Sequence, residues 1–256
     1  MTQGLELRGA VLGKGYRLGR RIDDADETLY EGTHERIPGH FVIRMFPTES
    51  LSQPESSSRI QRGSRVASLL RDPHAIQVLD FNASGEMPAF VVMERQLGPS
   101  LASVMADTGM LPLSRVVDVV DSIAAALTAG HRIGLVHGDL RPAHVVLPAE
   151  GTPATKLSGF GWAKELRAAA RVPAPSGYLA PEQKFGKVLT LDERVDQFGL
   201  AALAYEMIAA CQPFSEESAD MADVLGLGAP RVPPAIADLV PGIPSALDEV
   251  LRRALS

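Results

Sequence analysis

Asp139 sits in the segment HGDLRPAHVVL, His137 to Leu147, where a carboxylate between His137 and Arg141 is a candidate general base. Three further segments follow it: KLSGFGWA from Lys156 to Ala163, GYLAPEQ from Gly177 to Gln183, and DQFGLAALAYEM from Asp196 to Met207. Far upstream, Arg44 lies in the strand-like run from His40 to Phe46. The turn IDDADETLY crowds Asp23, Asp24, Asp26 and Glu27 together, with no glycine between Gly19 and Gly32. Two like charges about 8 Å apart at an effective dielectric near 20 repel by roughly 2 kcal/mol, so this turn would reject an anion or stand as a solvated tip.

The elements that must position these groups fall into two parts. Short runs rich in β-branched and aromatic residues predict strands over Tyr16–Ile22, Thr28–His34, Phe41–Phe46, Ile76–Phe81 and Ala89–Glu94. One helix interrupts them, over Ser57–Leu70, with Ile60, Val66, Leu69 and Leu70 on its buried side. Later, Val116, Val120, Ile123, Leu127 and His131 recur at three- and four-residue steps, which predicts an amphipathic helix over Leu113–Ile133. Strands first and helices afterwards give an α+β architecture. A Pro-rich stretch, Ala229–Pro244, separates the last two predicted helices.

With 256 residues, 45% of them hydrophobic, the chain can bury a real core. A net charge of −6 argues against a nucleic-acid partner, because binding a phosphate backbone needs clustered Lys and Arg. The single cysteine, Cys211, permits no intrachain disulfide and lies in an apolar stretch that predicts a buried, inert thiol. The most apolar helix contains Glu206 and is too short for a bilayer, so no membrane contact is expected of this chain itself.

In order and spacing, the four segments resemble a bacterial serine/threonine protein kinase, whose counterparts read HRDLKPENILL, KLxDFGxA, GYLAPEQ and DxxxLG. HGD is shared with small-molecule phosphotransferases, whereas GYLAPEQ and the Asp196 helix favour the protein-kinase branch. The resemblance implies a bilobal fold: a small β-rich N-lobe with one helix and a larger helical C-lobe, truncated at its C-terminal end. Residues 1–15 would be an extension, 16–96 the N-lobe and 97–256 the C-lobe, with VVMERQLG as the linker and Ser256 inside the penultimate helix.

By the same resemblance, Asp139 holds the catalytic-base position and Asp196 caps the catalytic loop. Arg44 stands for the phosphate-pairing lysine, and Met93, Glu94 and Gln96 fall on the gatekeeper and hinge of a nucleotide pocket. The family's metal-binding aspartate and asparagine are here Gly159 and His144, and its helix glutamate is Gly63. Neither glycine nor imidazole is the hard oxygen ligand that magnesium prefers. Gly138 replaces an arginine that commonly grips a phosphorylated activation segment, and the segment Ala163–Pro175 has no Ser, Thr or Tyr. Glu182 would pair with an arginine beyond Ser256. His137 reads as a packed histidine, and Arg44 as either paired with the acidic turn or exposed to solvent.

These letters predict a catalytically inactive kinase-like domain, a pseudokinase, that scaffolds or regulates through protein contact, with Asp139 vestigial and no metal or cofactor expected. ATP and magnesium belong to the alternative, an atypical kinase or other nucleotide transferase using Asp139 with Arg44 as clamp. A third reading is a nucleotide sensor that binds ATP without metal. Expected partners are proteins, among them an active kinase or a phosphopeptide-binding protein, with TESLSQPESSS, Thr48–Ser58, as a modifiable loop or a plain solvated one. The expected setting is the cytoplasm, whether as a whole protein or as the cytoplasmic part of a longer one.

Overall fold

Between Tyr16 and His34, apolar residues alternate with charged ones in two runs that pair antiparallel, from Tyr16 opposite His34 to Asp24 opposite Glu27. The computed structural model describes residues 7–24, 27–46, 54–82, 89–149, 154–162, 176–184, 192–214 and 232–256. Strands β1 (Val11–Leu12), β2 (Tyr16–Asp24), β3 (Glu27–His34), β4 (Phe41–Met45), β5 (Val78–Asn82) and β6 (Phe90–Glu94) form one antiparallel sheet in the order β1-β2-β3-β4-β6-β5. The five strands read from the sequence are present with small shifts at their ends.

The register slips between Leu18 and Arg21, a bulge that adds twist. Leu12, Tyr16, Leu18, Tyr30, Ile43 and Phe90 are among the buried residues of the sheet's core. A Cβ on Gly32 would stand 2.5 Å from Ile43 Cδ1, so the glycine makes the room that Ile43 fills.

Helix α1 spans Pro54–Ala67, starting and stopping earlier than the spacing predicts. Proline suits the first helical turn, where its missing N–H would have had no partner. Because the helix stops at Ala67, Leu69 falls outside it and is 67% exposed, against the expectation that it faces inward, whereas Ile60 and Leu70 are buried. Of the Thr48–Ser58 stretch, residues 48–53 lie outside the described residues, as do residues 163–175, while Pro54–Ser58 belong to α1 and not to a loop.

The helical part comprises α2 (Leu101–Thr108), α3 (Leu113–Arg132), α4 (Pro181–Lys184), α5 (Arg194–Ala209), α6 (Ile236–Leu239) and α7 (Ser245–Ala254), with a small ladder of β7 (Val145–Val146) and β8 (Lys156–Leu157). Ser100 caps α2, its Oγ accepting from Ser103 N at 3.1 Å. Helix α3 buries Val116, Val119, Ile123 and Leu127, with Val119 rather than Val120 taking the core position.

Beyond its polar first turn, helix α5 is apolar on most sides and is buried accordingly, from Phe198 to Ile208 with few breaks. It ends at Ala210, a left-handed residue with φ 54° whose N–H reaches Glu206 O at 2.8 Å. That turn carries Cys211 out of the helix, so the thiol is exposed and not buried as its apolar neighbours predicted. Burial of part of its surface raises its pKa, with Glu206 adding to the shift.

The described residues group into two compact units. The first draws on Met1–Arg71, Ile76–Gln96 and Phe160–Arg171, the second on Asp72–Ala75, Leu97–Gly159 and Val172–Ser256. Asp72–Ala75 joins the second because Leu157 N donates to His74 O at 2.8 Å and His74 Nδ1 donates to Thr155 O at 3.1 Å. Among the described residues, no helix is long and apolar enough to cross a membrane. The architecture is α+β, with a β-rich part carrying one helix and a larger helical part.

Candidate functional site

In the helical unit, the loop from His137 to His144 is held from below by Asp196, which has no exposed surface and stands in the first turn of α5. Asp196 Oδ2 accepts from His137 N at 2.9 Å and Oδ1 accepts from Gly138 N at 2.7 Å. Oδ2 also takes a bond from His131 Nε2 at 2.7 Å, while His131 Nδ1 lies 3.4 Å from Glu193. The sequence placed Asp196 in this role. His131 was legible only as one more residue on the inner face of α3, because its partner comes from a helix distant in sequence.

Two buried histidines fix the loop from within. Asp139 N donates to His137 Nδ1 at 3.3 Å, and His137 Nε2 donates to Ser158 O at 2.7 Å, which is the pattern of a neutral imidazole. Burial, and then the neighbouring His144, lower the pKa of His137. His144 donates from Nδ1 to Asp139 O at 2.7 Å, and its own carbonyl accepts from Ser158 N at 2.8 Å and Ser158 Oγ at 3.0 Å. Its imidazole therefore braces the loop. Asp139 is 5% exposed, with Arg141 Nε 3.6 Å from its Oδ2.

Gly159 follows Ser158 with φ 99°, a backbone conformation that favours glycine. An aspartate placed there would carry strain as well as a carboxylate. Gly159 and His144 thus do not fit a magnesium ion: one has no side chain and the other offers an imidazole already bonded to a carbonyl. Among the described residues, no group of three His, Cys, Asp or Glu is arranged to hold a metal.

The GYLAPEQ segment is tied to the same loop through a residue that sequence reasoning passed over. Gln183 donates from Nε2 to Gly138 O at 2.8 Å and accepts from Ala180 N at 3.1 Å. Tyr178 donates its hydroxyl to Glu206, the lone acid in the apolar part of α5. Burial raises the pKa of both groups, and for Tyr178 the charge of Glu206 adds to the effect. An acid inside an apolar helix was the available signal for that pair. Glu182 lines a cleft of about 470 Å³ with Asp192, Arg194, Phe198 and Arg253. Asp192, and then Glu182, favour the charged form of Arg194.

The remaining predicted residues lie in the sheet unit. Arg44 occupies β4 between Leu29 and Val91 and is 6% exposed, which overturns the solvent-exposed alternative. The side chains of residues 23–28, its other expected partners, lie outside the described residues. Met93 is buried on β6. Glu94 turns its carboxylate to Gln77 N at 2.9 Å, while its own N–H reaches Gln77 O at 3.0 Å. Gln96 is half-buried beyond the strand. In the same unit Gly63, at the helix-glutamate position of α1, lies against the backbone of Gly161: a Cβ on Gly63 would stand 2.7 Å from the Gly161 carbonyl carbon.

Residues 27–227 match the family profile described as "Protein kinase domain". Serine/threonine-protein kinase PknA of Mycobacterium tuberculosis is 29% identical over 253 residues, covering 95% of this chain and 58% of the relative. Serine/threonine-protein kinase Pkn1 of Myxococcus xanthus is 28% identical, covering 94% of this chain and 35% of the relative. The chain thus spans little more than half of the first relative and about a third of the second. The crystal structure of the M. tuberculosis PknI kinase domain superposes with a TM-score of 0.78 at 28% identity, covering 97% of this chain and 90% of that one. A loop hung from a buried aspartate, a sheet with one helix, and matches across both parts lead to one conclusion: the chain belongs to the protein kinase domain family.

Proposed function

We propose that this is a catalytically inactive protein kinase domain, a pseudokinase, that acts by binding other proteins in the cytoplasm. The observation that carries the reading is at the two metal positions. Gly159 has no side chain to offer and takes a backbone conformation suited to glycine, and His144 uses its imidazole to brace the Asp139 carbonyl. Phosphoryl transfer depends almost wholly on positioned charge and metal, so losing both ligands together removes more than either would alone. The partners in this reading are proteins, with an active kinase or a phosphopeptide-binding protein as candidates.

Asp139 is retained, and a competing reading gives it a base's role in an atypical transferase. Incubating the protein with ATP labelled at the γ-phosphate, with magnesium or manganese and a general acceptor protein, separates the two. Incorporation no greater than that of Asp139→Asn is expected. Incorporation at least tenfold above that variant would overturn the proposal.

A further inference from the structure

Gly63 lies well inside α1, where a glycine weakens a helix relative to alanine. The inward face of that helix is built from Ile60, Gly63, Ser64 and Ala67, at three- and four-residue steps. Ile60, Ser64 and Ala67 are all nearly without exposure. Against the small end of this face lies the peptide of Gly161. A Cβ on Gly161 would meet the Gly63 carbonyl carbon at 2.6 Å and Ala67 Cβ at 3.2 Å, and one on Gly63 would meet Gly161 Cα at 3.0 Å. Gly161 also has φ 89°, and its flanking aromatic residues Phe160 and Trp162 are 2% and 1% exposed.

We propose that Gly63 and Gly161 form a backbone-to-backbone clasp that fastens the Phe160–Trp162 segment to α1 permanently, without nucleotide or a modified residue to hold it. Each glycine is required by the other. Any side chain on Gly63 would enter the space of the 161 peptide, so the helix and the segment can approach this closely only while both lack a Cβ. Ala67, one turn further on, is small enough to leave the clasp closed, and the two flanking aromatics are buried with it. The clasp fixes the inner face of α1 as packing surface, so that this helix and the Phe160–Trp162 segment are one body. The clasp is independent of whether the domain transfers phosphate.

Trp162 is the only tryptophan in the chain and reports on the clasp directly. Emission maximum and acrylamide quenching are compared for the full chain, Gly63→Ala, Ala67→Val and Arg62→Ala, with helix content followed by circular dichroism. Arg62 is exposed on the same helix and serves as control. The clasp predicts a blue-shifted, shielded tryptophan in the parent and in Arg62→Ala. It predicts a red shift and a severalfold rise in quenching in Gly63→Ala with helix content kept. Should Gly63→Ala fail to fold, Ala67→Val presses on the same peptide and carries the same expectation in weaker form.

An unmoved tryptophan in folded Gly63→Ala, or in Ala67→Val where Gly63→Ala does not fold, would overturn the clasp. So would a parent tryptophan as open to acrylamide as that of the unfolded chain. Saturating ATP with magnesium should leave the parent signal unchanged, and a nucleotide-driven red shift would show that the segment is released and not fixed. None of these outcomes bears on phosphoryl transfer, which the labelled-ATP assay reads separately.

Discussion

His137 shows how a single buried side chain can be read from its two ring nitrogens. One accepts from Asp139 N and the other donates to Ser158 O, so the neutral ring satisfies both bonds and a protonated ring would lose the first. Burial and the nearby His144 disfavour the charged form, although Asp196, Ser158 and Asp139 pull the other way. The unfolded chain takes up a proton near pH 6.5, the folded chain only at lower pH, so the unfolded state binds more protons in that window. Stability from this group is present above pH 6.5 and is lost as pH falls towards the lowered folded value. Glu206 acts in the opposite sense, because its raised folded pKa gives stability that is fully present below pH 4.5 and is lost as pH rises from there through the raised folded value. Thermal midpoints measured from pH 7.5 to 5 should therefore fall more steeply for the parent than for His137→Gln, whose amide can still donate to Ser158. Equal slopes would show that His137 is not held neutral. At this scale the sequence marked Asp139, Asp196 and the glycine at 159 through their motif positions. It did not show the exposure of Cys211, which depends on one left-handed residue, or the burial of Arg44, which depends on neighbours across two strands.

Ala210 is the residue at which an element ends against local preference. An L-residue with a side chain rarely adopts φ 54°, and helices that finish in this conformation usually do so with glycine. Ala210→Gly relieves the steric conflict while giving the unfolded chain more freedom, and the first effect exceeds the second where φ is positive. The expected gain is about 0.5–1 kcal/mol, read as a higher denaturant midpoint with an unchanged slope. Strands were legible in the sequence because alternating burial writes itself into consecutive residues. The ends of α1 were not, since Ser-rich residues before Ser57 give no apolar period and the proline at its start is as common in loops. Gly63 was recognisable as a weak point in a helix, but the peptide that justifies it arrives almost a hundred residues later. Gln183 was passed over because its bond goes to a backbone carbonyl, which leaves no mark in residue type.

For the molecule as a whole, the order of strands and helices and the spacing of four segments were enough to identify the fold. What they could not carry is the interleaving of the chain, in which Asp72–Ala75 belongs with the helical unit. That grouping comes from a backbone bond between Leu157 and His74, which any sequence could make, and from the His74 imidazole bonded to the Thr155 carbonyl, whose partner is more than eighty residues away. Nucleotide binding is a property of the whole chain and is tested on it. A ligand present at a hundred times its dissociation constant adds about 2.7 kcal/mol, several degrees in a domain of this size. Thermal unfolding with ATP or ADP, with and without magnesium or manganese, should show no shift. A metal-dependent shift would contradict the reading of Gly159 and His144, and a metal-independent one would favour a nucleotide sensor.

The web around Asp196 has a consequence for how such a chain can change over generations. Its bonds run through Asp196, His131 and the backbone of His137 and Gly138, and the next layer through Ser158, Gln183 and the ring of His137. None of these passes through a side chain at 159. The side chain at 159 can therefore change without unfastening the loop, whereas the one at 144 cannot, because the His144 imidazole braces the Asp139 carbonyl. Over generations the first of these positions is open to drift and the second is tied to the fold.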